Sequence, residues 1–552
     1  MRNWCVPSTS SKPAPRPGRL APFLTLLAVA LMAALTWRNG AVEHVDNVND
    51  TAAFLDGVWR IHLGQRPHQD FHSIVGALPF ALGAAAMRLT GPRAAALACE
   101  LALLQLMVAG VAYWAARPRL GALAAGLMAV GLALLVGAPH VLGTPYGRLT
   151  FGNFYNRLGW SVALAAWLCA LMPRRDAAWP RSETMAVGVM TGALLFIKAN
   201  YFAVTVAVVA LGWSRRRGRW TAAAEFMGTV LATAALITAA TGSSFPGYLN
   251  DLATSGRSQE WWKLGSYVAR AWASNWAAIA AVLLLIALDL RISLRNWWGA
   301  WRSLAAVAAG MIVMQANSHG GVAPAIPLAG LLLAEGVRRT GARPLVVGLN
   351  GAAALGLAAT ILVPDAIAVS RAAWKHRPSA HPDGGAVFLP GVLGDLPLPL
   401  RPGESADPAA IRRSLLARGA DSFGMSPAQW WVSCNDALML VRQRAGPQAR
   451  LLTMDLFNPW SLMLEDNPPR GDWIAWDPGR NFTGTSHPAF AELAGEATHV
   501  LVPRVAYYPP SARLKLEVYG ADLRRQFRIC AESDLWTLWE RRPTAAPGPR
   551  TD

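Results

Sequence analysis

Long uncharged stretches, repeated between residues 20 and 363, decide most of what this chain can become. Runs long enough to cross a bilayer as a helix, about 20 apolar residues each, occupy 20–37, 94–116, 121–141, 221–240, 271–290 and 344–363. Shorter apolar runs at 74–89, 158–172, 185–197, 201–213, 304–316 and 322–333 fill the gaps. Read as hydropathy, the pattern gives about 11 to 13 spans. Of the 552 residues 53% are hydrophobic and 15% charged, whereas soluble domains carry about a quarter charged residues. The expected fold class is an α-helical polytopic membrane protein.

The formal charge of +18 does not indicate nucleic acid as a partner. The basic residues form short clusters between apolar runs instead of one continuous face, which is the signature of loops kept on the cytoplasmic side of a bilayer. Arg2, Lys12, Arg16 and Arg19 precede the first span, and no Ala-x-Ala-like cleavage site follows it. An uncleaved anchor with a cytoplasmic basic N-terminus, residues 1–19, is therefore expected, with loop 38–73 facing outward. Counted through the second half, the basic loops 215–219, 291–302 and 338–339 fall inside, 242–270 and 318–321 outside, and the last span sends the C-terminal region outward. Between loop 38–73 and Arg174-Arg175 lie four apolar runs, where charge parity requires an odd number of crossings. One of the four is thus re-entrant, split or wrongly delimited.

A membrane domain over 20–363 is followed by a Pro- and Gly-rich linker at 364–402, a domain at 403–545 and a tail at 546–552. Strand-like and helix-like patterns alternate in the third part: helix at 435–444, strand at 450–454, helix at 487–494, strand at 499–502, partial helix at 514–523 and strand at 536–539. This predicts a small extracytoplasmic α/β domain. Cys434 and Cys530 both fall in it, where an outward location permits a disulfide without establishing one. No Cys-x-x-Cys occurs, so the cysteine spacing indicates neither a zinc site nor a redox pair, and no Gly-x-Gly-x-x-Gly, P-loop, His-Glu-x-x-His or Gly-x-Ser-x-Gly is present, so the domain carries no catalytic signature of its own.

Chemistry concentrates in the first outward loop. Asp46, Asp50 and Asp70 flank an amphipathic stretch containing Phe54, Val58, Trp59, Ile61 and Leu63 that suits a helix lying in the membrane interface. Gly64 and Pro67 break that helix, so Asp50 near its start and Asp70 past its break can approach across a cleft. Solvated topology charges are the plainer account of these acids. Lys198 sits beside Asn200 and Tyr201 at the outer tip of a helical hairpin, as a phosphate-binding cation or as a side chain snorkelling to the interface. Tyr155, Asn156 and Arg157 open another span, with Arg157 available to a phosphate or an acid. In the loop after Tyr248, Arg257 offers a cation, and Trp261 and Trp262 offer stacking surfaces for a sugar or anchors in lipid headgroups. His319, between two spans, is either a site residue or part of a hairpin turn.

The order Asn49-Asp50, then Gly64-Gln65-Arg66-Pro67-His68-Gln69-Asp70-Phe71, then Gly76-Ala77-Leu78-Pro79 resembles the GT-C superfamily of membrane glycosyltransferases, which includes protein mannosyltransferases and aminoarabinose transferases. The resemblance covers about residues 20–340, with its specificity at 46–79. The family's acidic pair is here Asn-Asp, which leaves Asp46 and Asp50 as rivals for the essential carboxylate. Membership implies a bacterial inner-membrane enzyme that moves a sugar from a polyprenyl-phosphate donor to an envelope lipid, glycan or protein acceptor. It also implies Asp50 or Asp46 as base, with Asp70 in support. Lys198, Arg157 and Arg257 hold phosphate in that scheme, and a divalent cation such as Mg2+ or Mn2+, if used, falls to Asp50 and Asp70. The alternative is a transporter or flippase for a charged lipid or solute, although the two matching halves common in transporters are absent from the sequence. A non-catalytic envelope scaffold is the third reading, and it tolerates loss of all three acids.

Overall fold

In a computed structural model, the structure describes residues 20–40, 48–143, 149–174, 180–214, 218–259, 264–292, 297–316, 322–339, 344–375, 385–400, 404–405, 407–417 and 424–543. The protein is mostly helical (69%) with a small C-terminal sheet region. Up to Lys375 the elements are α1 (Leu20–Asn39), α2 (Val48–His62), α3 (Ala77–Thr90), α4 (Ala96–Ala116), α5 (Ala122–Gly137), α6 (Phe154–Leu171), α7 (Arg181–Ile197), α8 (Ala199–Trp213), α9 (Arg219–Thr241), α10 (Phe245–Ser258), α11 (Leu264–Ile292), α12 (Trp297–Ala316), α13 (Ala325–Arg339) and α14 (Pro344–Lys375).

Five of these helices, α1, α4, α9, α11 and α14, are long and apolar enough to cross a membrane among the described residues. Their outer faces are greasy: α1 exposes Leu20, Phe23, Leu24, Leu26, Leu27 and Leu31, and α14 exposes Leu345, Leu349 and Leu355. Soluble monomers rarely expose contiguous apolar patches beyond a few hundred Å2, whereas in hydrocarbon such faces cost nothing. The apolar run at 344–363 does not end its helix. α14 continues through Pro364 to Lys375, and at this point the buried Asp365 accepts hydrogen bonds from Arg157, with His140 Nε2 at 2.8 Å.

One end of the bundle gathers the basic turns. Arg119 is fully buried and donates to Met172 O, Ala115 O and Cys169 O while pairing with Glu183. Arg174 joins the same Glu183, and Arg339 reaches Pro173 O. The α4–α5, α6–α7 and α13 termini therefore lie together. At the opposite end lies α3. Its entry is tied at Gly76 N to Ile197 O, beside Lys198, and its exit at Ala94 and Ala95 donates to Val392 O and the Asp395 carboxylate. Both contacts belong to the end that carries the C-terminal region. At 14 residues, α3 is about 21 Å long, short of the ~30 Å hydrocarbon core.

The C-terminal region is more ordered than a linker plus a domain. A short hairpin, β1 (Ala386–Val387) with β2 (Leu398–Pro399), buries Val392 and Leu393 between its strands. Next come α15 (Pro408–Leu416), α16 (Pro427–Arg444), β3 (Leu451–Thr453), α17 (Trp460–Leu464), α18 (Phe490–Ala494), β4 (His499–Pro503), α19 (Pro509–Gln526), β5 (Phe527–Glu532) and β6 (Trp536–Arg541). The sheet order is β3-β4-β6-β5, with β3 and β4 parallel and the other pairs antiparallel. Strand β5 is absent from the sequence reading because α19 passes into it with no Gly or Pro between them. Cys434 and Cys530 are separate thiols.

Helix α2 is not an exposed interfacial helix. Every residue from Thr51 to Ile61 is buried, because the C-terminal region lies over it. Arg60, wholly buried, donates to Asp56 (2.8 Å), Gln65 Oε1 (3.2 Å) and Pro469 O (2.8 Å). Trp59 Nε1 donates to Asp466 O and Gln65 Nε2 to Pro468 O. His72 then pairs edge to edge with Trp473: His72 N donates to Asp472 O, and Ile474 N to His72 O.

Candidate functional site

Asp50 lies in the first turn of α2, where the helix dipole favours a negative charge. Its carboxylate accepts from Asn49 Nδ2 at 3.2 Å and from Asn153 Nδ2 at 2.5 Å. Asn153 caps the start of α6 in a left-handed conformation, φ 60°, which asparagine tolerates better than most side chains. That turn lets the Asn153 amide face Asp50 with its nitrogen and the α6 side with its oxygen. Its Oδ1 accepts from Tyr155 OH (2.7 Å) and Asn156 Nδ2 (3.4 Å).

Lys198 occupies the break between α7 and α8, in extended backbone. Its ammonium donates to Asn156 Oδ1 at 3.3 Å and lies 5.6 Å from the centre of the Tyr155 ring. Burial pulls its pKa down to about 7; the positive charge of Arg480 adds to this and Asp50 opposes it. Tyr201 OH donates to Asn156 O and fixes the same turn. Asp50, Tyr155, Asn156 and Lys198, drawn from three separate stretches of sequence, thus form one polar cluster.

The C-terminal region closes this cluster with residues that sequence reasoning missed. Tyr507 OH donates to Asn49 Oδ1 at 3.0 Å. Arg480 and Asp477 lie close enough to act electrostatically on Tyr155. Behind Tyr507, the buried Asp455 accepts from the backbone N–H groups of Leu456, Tyr507 and Tyr508. Lys515 supports that turn by donating to Thr453 O and Asp455 O. No local signal marks Tyr507, whose partner Asn49 is 458 positions away. Asn153 was visible beside Asn156, and its left-handed turn is what makes it Asp50's partner.

Other expected site residues stand elsewhere. Asp70 does not approach Asp50: the two are at opposite ends of α2, whose 15 residues span about 22 Å. Asp70 instead accepts from Arg66 N (2.8 Å) and Arg66 Nε (3.2 Å), with Arg470 at 3.8 Å, and closes its own turn. This arrangement does not fit a divalent cation shared by Asp50 and Asp70. Arg157 is buried and committed to His140 O, Leu135 O and Asp365, so it ties α6 to α14 and is not available to a phosphate. Arg257 is exposed in the last turn of α10, near Thr254. Asp46, Trp261, Trp262 and His319 lie outside the described residues.

A second polar knot was not anticipated. Asp251 on α10, 1% exposed, accepts from Ser73 N and lies 2.8 Å from Nδ1 of both His68 and His72. Burial raises the Asp251 carboxyl, but the two histidine contacts outweigh it and hold the group below the usual carboxylate range. For His72 burial acts downward, and Asp251 overrides it to raise the imidazole. His68 adopts φ 61°, and a side chain at Gly247 would collide with its carbonyl. Loop 64–73 and α10 are therefore locked together. Compared with family models, curated proteins and solved structures, the chain finds no match in any of the three.

Proposed function

We propose that the protein is a membrane glycosyltransferase of the GT-C type, working on the outer face of a bacterial inner membrane. In this reading it moves a sugar from a polyprenyl-phosphate donor to an envelope lipid, glycan or protein acceptor. The observation that supports it best is the Asp50 cluster: a carboxylate held by Asn49 and Asn153 beside a half-buried lysine, where helix ends meet the C-terminal region. An acceptor hydroxyl must lose a proton as it attacks the anomeric carbon, and a fixed carboxylate within hydrogen-bond reach is the simplest base. The departing phosphate gains charge, which Lys198 and Arg480 are positioned to balance. A polyprenyl tail remains in hydrocarbon while its headgroup meets the polar cluster at helix ends, which accounts for building such an enzyme from membrane-length helices.

The test is sugar transfer by the full chain in nanodiscs with a panel of polyprenyl-phosphate sugars, comparing wild type, Asp50→Asn and Asp70→Asn. Loss of a general base costs about 100- to 10,000-fold in rate, so Asp50→Asn should fall by that much while Asp70→Asn retains activity if folded. Movement of a lipid or solute across proteoliposomes without donor consumption would replace the enzyme reading with a transporter.

A further inference from the structure

We propose that His499, Cys530 and Glu540 form a binding site for a zinc-class divalent cation on the C-terminal sheet, apart from the Asp50 cluster. One potential ligand atom from each of these residues lies within 4.8 Å of the other two. Three neighbouring strands supply them. In the antiparallel β4–β6 ladder His499 stands directly opposite Glu540, and directly opposed side chains on one sheet face have Cβ atoms about 5 Å apart. Strand β5 continues the sheet beyond β6, with Arg528 opposite Glu540 and Ile529 opposite Trp539. A regular ladder would then set Cys530 against Leu538, but a bulge gives Leu538 to Ala531. Bulges of this kind re-aim a side chain, and here the displaced residue is the thiol.

Neighbouring groups orient the three side chains, with Arg444 and Arg528 acting on Cys530 as nearby positive charges. Thr498 Oγ1 lies 3.0 Å from Nδ1 of His499 and restrains the ring, the kind of outer support that metal-ligating histidines usually have. Both guanidinium contacts from Arg528 fall on Oε1 of Glu540, at 2.6 Å, which orients the carboxylate. Cys530 Sγ has only a weak contact, 3.4 Å to Leu538 O. All three side chains are partly exposed, so an ion can reach them. A nitrogen, a sulfur and a carboxylate oxygen with a fourth position open to water match tetrahedral zinc. Binding exchanges the thiol proton for the metal, and that proton leaves to solvent.

The experiment uses the full chain in nanodiscs, titrated with Co2+ as a spectroscopic probe and with Zn2+ in competition. The expected result is one equivalent of Co2+ giving a thiolate-to-cobalt charge-transfer band that Zn2+ displaces. Cys530→Ser should abolish the band, Cys434→Ser should leave it, and His499→Gln should weaken affinity by about 10- to 100-fold or more, since even outer-shell changes act on that scale. Zn2+ should also slow alkylation of Cys530 by N-ethylmaleimide in wild type, but not in His499→Gln at the same concentration. Absence of the band at saturating Co2+, its survival in Cys530→Ser, or unchanged affinity in His499→Gln would each overturn the site.

Discussion

Replacing Arg60 by Met should loosen the C-terminal region from α2 without unfolding the helices beneath it. Arg60 and Asp56 are both 0% exposed, and the guanidinium also holds Gln65 and the Pro469 carbonyl. Methionine fills much of the same volume and offers no donor, so Asp56 is left buried without its cation. Breaking a buried pair on one side costs about 3–5 kcal/mol. Burial already raises the Asp56 carboxyl, and Arg60 only partly offsets this. The stranded acid can therefore take up a proton, which favours the lower figure. About 3 kcal/mol corresponds to roughly 150-fold more frequent opening, at 1.36 kcal/mol per tenfold. Hydrogen exchange at Gly471, Ile474 and His72, whose amides bridge loop 64–73 and the C-terminal region, reads that opening directly. Adding Asp56→Asn to Arg60→Met should restore part of the protection, because the stranded charge is gone. The reasoning fails if exchange at these three amides changes by less than about threefold, or if the double variant is as open as the two single losses summed.

Three further outcomes follow from the site. Lys198 is cationic below about pH 7 in the free protein, so kcat/KM for a phosphate-bearing donor should fall as pH rises through 7, and Lys198→Arg should remove that fall; an unchanged pH profile in the variant would discard Lys198 as the phosphate partner. Asp251→Asn keeps one acceptor oxygen but replaces the other with an amide donor and removes the charge shared by His68 and His72, which should cost about 1–3 kcal/mol, measured as faster proteolysis of loop 64–73. In wild type, Asp251, held low, contributes stability that is lost as pH falls through its folded pKa; His72, held high, contributes stability that is lost as pH rises through its own. Docking of α10 should accordingly be firmest between those limits, and in Asp251→Asn the acid-side loss should disappear. At Gly76, an added Cβ would run into the Phe196 carbonyl, so Gly76→Ala should shift the Lys198 turn at an overpacking cost of about 1–3 kcal/mol, seen as reduced activity at preserved expression.

What could be read from sequence was whatever local composition controls. Apolar runs located nearly every helix of the bundle, and the Gly64 to Asp70 turn appeared where Gly64 and Pro67 broke α2. Asp50, Tyr155, Asn156 and Lys198 were each singled out because polar groups at helix ends are unusual, and the structure brings these four together. The failures were failures of partnership. Asp70 and Arg157 carry the right charge for catalysis, yet each is neutralised by a neighbour, Arg66 or Asp365, that hydropathy does not reveal. Tyr507, Arg480 and Asp251 gain meaning only from contacts spanning about 180 to 460 residues. Pro364 misled in the opposite sense, since the bond from Arg157 to Asp365 holds α14 across the expected break.

The polar cluster around Asp50 has an order of manufacture. Its floor, Asp50, Asn153 and Lys198, is translated within the first two hundred residues, while Arg480 and Tyr507 emerge from the ribosome near the end. During synthesis a nascent chain holds the carboxylate and the lysine without these later partners, and the segment that supplies them must find α2 and loop 64–73 through Trp59, Arg60 and His72. Premature termination anywhere before residue 480 would leave Asp50, Asn153 and Lys198 without the partners that Arg480 and Tyr507 supply, so this cluster is complete only when translation is almost done.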